Sequence, residues 1–291
     1  MKRPAALVKL LLGHELRNIR EDSGRKQTHV AKLAGLRQAD LSKFESGTAG
    51  LDNDEIRRLL AIYGDLEPTV ARHIESLLSE NPTEQGTRVR RTGAQTAHPV
   101  DFRRFIDLEA FSQELRWFEN GPLPGILQTE KYARALYQLR PELVADEGGL
   151  EQAVAARMAR KRIFKREDLG RISVLLYEAS IAQRQADLDA MREQLAHLAE
   201  LALHPLLDIR VVPFSRPVSG AIVHRHVLFE IPAVTRPLEI LYTETLEGPR
   251  YTADVSAVSL SKDMWSRMVE FALPKDGTLE LINNYMEGWK R

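Results

Sequence analysis

The tightest constraint on this chain lies between Leu12 and Tyr63, where apolar residues recur at helical spacing and are interrupted by short breaks. The recurrence runs through Leu12, Leu16 and Ile19, then Val30, Leu33 and Ala34, then Leu41 and Phe44, then Ile56, Leu59, Leu60 and Tyr63. Four short helices fit this pattern. The second and third are joined only by Ala34-Gly35-Leu36, where glycine supplies a backbone conformation that a residue with a side chain adopts reluctantly. The third helix is expected to run from Arg37 to Glu45, with Leu41 and Phe44 on its inner face and Gln38, Ala39, Ser42 and Lys43 on its outer face. Gly47, Gly50 and Asn53 close the unit.

Two helices at a tight turn with a polar outer face make a helix-turn-helix, whose second helix fits the major groove of double-stranded DNA. Gln38 carries an amide able to pair bidentately with adenine, and Gln27 opens the second helix where a phosphate contact fits. The residues expected to face DNA are Lys26, Gln27, Thr28, Arg37, Gln38, Ala39, Ser42 and Lys43. Lys26 and Arg37 stand just before the second and third helices, where Ser, Thr, Asp or Asn would normally cap the backbone amides. A cation there forgoes a cap, a loss of about 1 kcal/mol, and opposes the helix dipole; a bound phosphate would reverse that sign. The competing readings are solvated surface cations, and a helical bundle that never meets DNA.

The segment resembles the Cro/XRE-type repressors, whose pattern runs Gly-x-Thr-Gln in helix two and Ser-Gln-x-x-Ile-Ser-x-x-Glu-x-Gly in helix three. Gln27, Gln38, Leu41, Ser42, Glu45 and Gly47 match, while Lys26, Arg37 and Asp40 depart. A carboxylate at position 40 would repel phosphates, although it could accept from a cytosine amino group.

With 291 residues, 43% hydrophobic and 28% charged, the chain is long enough for two domains. No run of some eighteen apolar residues exists, so no membrane helix is expected, and Leu7 to Leu12, interrupted by Lys9, is too short for a signal peptide. The absence of cysteine excludes disulfides, thiol catalysis and thiolate-held metal. A cytoplasmic location is expected. Formal net charge is zero, so the basic signature of a nucleic-acid binder must be local. Up to Ser46 there are ten lysines and arginines against five acids, a basic lobe.

Domain boundaries are expected at 1–80 for the helix-turn-helix domain, 81–100 for a polar linker and 101–291 for an α+β domain. Arg88, Arg90 and Arg91 of the linker either brush the DNA backbone or are solvated. In the second domain the pattern predicts helices over Phe102–Phe118, Glu130–Leu139 capped by Thr129, Leu150–Lys165, Asp187–Leu203, Ala253–Leu273 and Leu279–Trp289. Strands are expected at Arg171–Glu178, Ile209–Phe214, Val223–Ile231 and Leu238–Glu244, four or five in all. The whole is therefore a multidomain chain, an N-terminal all-α bundle of the Cro/lambda-repressor kind followed by a C-terminal α+β domain.

The second part is similar to the WhiJ-like C-terminal domain of actinobacterial XRE-type regulators. The likeness rests on Leu108-Glu109-Ala110, the run from Pro124 to Ala133, Arg157-Met158-Ala159-Arg160, Met191 to Leu195, Val211 to Phe214 and Tyr242 to Thr245. Where that family commonly carries an Arg-Pro-Val-Gly-like loop, Arg184-Gln185-Ala186-Asp187 stands instead. The resemblance implies a transcriptional regulator, often paired with a small partner protein in an antitoxin-like arrangement, whose second domain senses or binds something. A homodimer on a two-fold-related operator is expected.

Two non-enzymatic roles fit the second domain. It dimerises and holds a small-molecule ligand near Gly125, Gln128, Tyr132, Tyr242 and Glu244, or it binds a small protein partner, with Trp117, Phe118, Trp265 and Trp289 as candidate anchors. His224 and His226, two apart on an expected strand, have metal-ligand spacing in principle, but no third ligand is placed and a structural pair is the simpler reading. No nucleotide-binding glycine loop or nucleophile elbow is present, and no two carboxylates are marked as an acid–base pair. No metal, cofactor or catalytic residue is assigned; an enzyme carrying an attached helical module is the rival of a different class.

Overall fold

The computed structural model describes residues 2–81, 100–140, 149–216, 224–245 and 247–288. The expected linker lies outside the described residues over 82–99, as does Trp289. The chain divides into two compact units, Met1–Arg90 with Ile231–Leu238, and Arg91–Glu230 with Glu239–Arg291.

In the first unit, α1 (Ala5–Asp22), α2 (Gln27–Ala34), α3 (Gln38–Glu45) and α4 (Asn53–Tyr63) are the four helices that the apolar spacing requires, and α5 (Pro68–Glu80) adds a fifth. Pro68 opens α5 at its first turn, where its missing N–H leaves nothing unsatisfied. Leu12, Leu16, Val30, Leu41, Phe44, Ile56, Leu59, Ile74 and Leu77 form a common buried core. Leu33 departs from expectation at 55% exposed. The inward face of α2 is Val30, Ala31 and Ala34, and Leu33 lies roughly 100° around the helix from its centre. Gly35 ends α2 at φ +70, a left-handed position that a side chain would strain. Asp52 begins α4 with a capping box: its carboxylate accepts from Glu55 N at 2.7 Å, and its own N–H donates to the Glu55 carboxylate at 3.0 Å.

Residues 231–238, assigned to the second domain on sequence, belong to this unit. Glu15, fully buried on α1, accepts from Val234 N at 2.6 Å, from Thr235 N at 3.1 Å and from the Thr235 hydroxyl. Asn18 Nδ2 donates to Thr235 Oγ1 at 2.9 Å. His73 Nε2 lies 3.2 Å from the Glu15 carboxylate. Burial alone would raise the carboxyl pKa, but the nearby His73 and the hydrogen bonds from Thr235 and Val234 outweigh it and hold Glu15 below the ordinary value. No local pattern announces this contact, because its two sides are some two hundred residues apart in sequence.

The second unit carries a six-stranded mixed sheet, β1 (Glu114–Glu119), β2 (Arg171–Tyr177), β3 (Leu207–Val212), β4 (His226–Ile231, whose last residue falls in the first unit), β5 (Leu238–Thr245) and β6 (Gly248–Thr252). The strand order is β3-β2-β1-β4-β5-β6. β1 pairs parallel with β2 and antiparallel with β4, β2 pairs parallel with β3, and β6 closes the edge antiparallel to β5. The helices are α6 (Val100–Phe111), α7 (Glu130–Leu139), α8 (Gly149–Ala159), the short α9 (Ala179–Ala182), α10 (Leu188–Leu201), α11 (Val255–Phe271) and α12 (Lys275–Gly288), with 3-10 turns at Gly125–Leu127 and Arg160–Lys165.

The expected helix over Phe102–Phe118 is corrected here: it stops at Phe111, and Glu114–Glu119 is the central strand. The Ser112 hydroxyl turns back onto Leu108 O at 2.7 Å, and Gln113 N donates to Glu230 O at 2.8 Å, which starts the ladder. Phe105, Leu108, Phe111, Leu115 and Phe118 happen to fit a helical stripe, which concealed the break. β6 was also missed, because a strand of Gly-Pro-Arg-Tyr-Thr at a sheet edge carries no apolar alternation. The helix expected over Leu150–Lys165 ends at Ala159 and gives way to the 3-10 turn Arg160–Lys165, while the other expected helices and strands form with ends moved by a few residues; Thr129 caps α7, its hydroxyl accepting from Tyr132 N at 3.3 Å.

Candidate functional site

On the first unit, a chain of polar contacts leads from the core to the outer face of α3. Arg20 grips the buried Glu45 with two hydrogen bonds, Nε to Oε1 at 2.6 Å and Nη2 to Oε2 at 2.8 Å. Gln27 Nε2 donates to Glu45 Oε2 at 2.8 Å, and Gln38 Nε2 donates to Gln27 Oε1 at 2.6 Å. The Gln38 carboxamide is thus held at the exposed start of α3. Gln27 is a support for Gln38 in this structure, its amide already committed on both sides, whereas the sequence suggested only a phosphate contact.

Lys26 and Arg37 are the N-cap residues of α2 and α3, both with extended backbone and neither with a side-chain cap. Thr28, Gln38, Ala39 and Lys43 are exposed and Ser42 is half-buried. Arg37 is tied to Asp40, Nε to Oδ2 at 2.6 Å and Nη2 to Oδ1 at 2.9 Å. That hydrogen-bonded pair raises the Arg37 pKa and lowers that of Asp40. Asp40, left without a clear role by the sequence, therefore neutralises the neighbouring cation and supplies negative charge to the first turn of α3.

The second unit contains a cavity of about 450 Å³. Gly125, Gln128, Tyr242 and Glu244 line it; Tyr132 is not among its lining residues and sits fully buried behind it, its hydroxyl accepting from Leu123 N at 3.4 Å. Gln128, also buried, donates to Leu123 O at 2.6 Å and accepts from Arg157 Nη1 at 2.9 Å. Arg157 Nε donates to the Tyr137 hydroxyl at 3.0 Å. Arg160, almost wholly buried, forms a two-point fork with Glu109 at 2.8 and 2.6 Å. Gly125 makes room for that guanidinium, since a Cβ there would collide with Arg160 Nη1.

Across the cavity, Arg225 Nη2 pairs with Glu244 at 2.9 Å, and its Nε stands 3.9 Å from Glu119. Burial pushes the Glu119 carboxyl up, against the opposing influence of Arg225 and of N–H donors including Trp117 Nε1. The Tyr242 hydroxyl donates to Glu244 at 3.0 Å, and burial raises its pKa to about 12.

Two family models match the chain. One, a helix-turn-helix domain, covers residues 11–72. The other, described as a domain of unknown function (DUF5753), covers residues 102–284, more than half of the sequence. The chain belongs to the DUF5753 family. No curated protein and no solved structure matches it. The DUF5753 domain carries every residue named above at the cavity, and the helix-turn-helix domain carries every residue expected to face DNA.

Sequence reasoning did not assign Arg157, Arg160, Arg225 or Glu119 to the cavity of the DUF5753 domain. The first two stand three apart in sequence, Arg157 in α8 and Arg160 at the start of the 3-10 turn that follows it. Nothing local links them to Arg225, which the sheet brings in as the residue just before β4. His224 and His226 do not share a strand face as expected: β4 begins at His226, which is buried, whereas His224 precedes it and is exposed. His226 Nδ1 lies 3.2 Å from His224 O. Among the described residues no group of three or more His, Cys, Asp or Glu is placed to hold a metal, and no helix is long and apolar enough to cross a membrane.

Proposed function

We propose that this protein is a sequence-specific, DNA-binding transcriptional regulator acting as a dimer on a two-fold-related operator, with the DUF5753 domain modulating it by binding a small molecule. The observation that carries the DNA reading is the exposed start of α3, where Gln38 is held in place by Gln27 and, behind it, the Arg20–Glu45 fork. A side chain fixed before binding loses less freedom on meeting a base edge, which favours selectivity. The uncapped, cationic N-termini of α2 and α3 support phosphate contacts beside it.

A small-molecule role for the second domain is favoured over capture of a small protein partner by the cavity itself, which combines aromatic walls with converging polar groups. Binding is favoured over turnover because the carboxylates that line the cavity, Glu119 and Glu244, both face Arg225. The wider resemblance to actinobacterial XRE-type, WhiJ-like and antitoxin-like regulators agrees with this reading, and a cytoplasmic location belongs to the proposal.

The test is binding of the full chain to DNA upstream of its own coding region, titrated at two salt concentrations beside Gln38→Ala. Specific binding that weakens with salt and is reduced by Gln38→Ala by about 1–3 kcal/mol is expected. Equal affinity of both proteins for operator and random DNA would overturn the sequence-reading role of α3.

A further inference from the structure

We propose that the cavity of the DUF5753 domain takes a small aromatic carboxylate, its ring among Phe105, Trp117 and Tyr242 and its carboxylate on Arg157. The proposal rests on the reading of that domain as a small-molecule binder and specifies the chemistry of the ligand.

The charge at the cavity wall decides the ionic end. Arg160 is matched by Glu109 in a buried fork, and Arg225 is matched by Glu244 and faced by Glu119. Arg157 differs: its two hydrogen bonds go to neutral acceptors, the Tyr137 hydroxyl and Gln128 Oε1, its guanidinium lies over the Tyr137 ring with Cζ 4.4 Å from the centroid, and it has no carboxylate partner among the described residues. Burial, with Arg160 and Arg225 nearby, lowers its pKa, the reverse of what a paired arginine experiences. One donor at the site is short of an acceptor, since Arg225 Nε is buried without a hydrogen bond. A site with a buried unbonded donor and, in Arg157, a cation that has no counter-ion among the described residues is completed by a ligand that brings a single negative charge and accepting oxygens. A planar carboxylate matches the guanidinium fork.

The walls decide the rest. Phe105 meets Trp117 and Tyr242 edge to face, with ring centroids 5.3 and 4.8 Å apart. All three line the cavity, together with Phe102 and Tyr251. A planar guest gains from such rings by stacking and edge contacts as well as by leaving water. A volume near 450 Å³ accommodates a body of one to three rings.

Calorimetric titration of the full chain with 2-naphthoate, 2-naphthamide and inorganic phosphate tests this. Saturable binding of 2-naphthoate about tenfold or more tighter than of the isosteric amide is expected, with no competition by phosphate and with Arg157→Gln abolishing the preference for the acid. Wild-type protein that binds amide and acid equally, or phosphate better than either, overturns the aromatic-acid proposal and leaves a small-molecule site of other chemistry. Absence of binding by either aromatic at millimolar concentration overturns the aromatic-acid proposal, and absence of binding by all three probes overturns the small-molecule reading with it. Should Arg157→Gln fail to fold, the wild-type comparison of acid with amide still decides, and Arg157→Lys, which keeps the charge and loses the planar fork, is expected to weaken 2-naphthoate selectively.

Discussion

Asp40 shows how a single side chain changes what its neighbour offers. Its ion pair with the exposed Arg37 sets a carboxylate at the start of α3, where phosphates would approach. Asp40→Ala is expected to raise affinity for all DNA sequences alike and to steepen the salt dependence by about one counter-ion, checked by fluorescence anisotropy at several salt concentrations; an unchanged slope would show that Arg37 stays clear of the backbone. His226 carries a different residue-scale consequence. Burial holds its pKa below the ordinary 6.5, so the folded protein keeps the ring neutral where the unfolded chain would already protonate it. The stability this contributes is fully present above pH 6.5 and is lost as pH falls from there through the lowered folded value. His226→Gln should flatten that part of the pH–stability curve relative to wild type in urea melts, while His14 and His197, also lowered by burial, leave the rest of the slope in place.

At the scale of elements, the helix ends are where stability and binding diverge. α4 and α7 begin with satisfied caps at Asp52 and Thr129, whereas α2 and α3 begin with Lys26 and Arg37 and have none. Lys26→Thr is therefore expected to stabilise the protein by about 1 kcal/mol and to weaken DNA binding irrespective of sequence; a melting midpoint that does not rise would sink the trade-off. The elements also differ in how far the sequence alone reveals them. α2, its glycine turn and α3 were legible because one short segment holds both the apolar face and the turn residue. β1 was not: Leu115 and Phe118 extend a helical stripe, and only pairing with β2 and β4, from distant sequence, makes that segment a strand. The cavity was half legible for the same reason. The run around Gly125 and Gln128 is contiguous, but Arg225 joins it through the sheet alone.

For the whole molecule, zero net charge hides an uneven distribution, with ten cations against five acids up to Ser46. A short recognition helix such as α3 reaches few base pairs and would gain selectivity by being used twice, which is the argument for a two-fold assembly. Sedimentation equilibrium at micromolar concentration is expected to give twice the chain mass, and the same stoichiometry on operator DNA; a monomer in both conditions would restrict recognition to a single half-site. The contact of Glu15 with Val234 and Thr235 carries a last consequence, for recombination. The helical unit is not a cassette that ends at the polar stretch after Asn81, because it is completed by residues 231–238. A chimaera that exchanges residues 1–90 for those of another regulator would inherit the visiting loop but not the acid that receives it, unless the donor sequence also places a carboxylate at the position of Glu15. Swaps that respect this pairing should yield working hybrids, and in a lineage where regulators exchange reading heads, the first-helix acid and the β4–β5 loop would have to travel together.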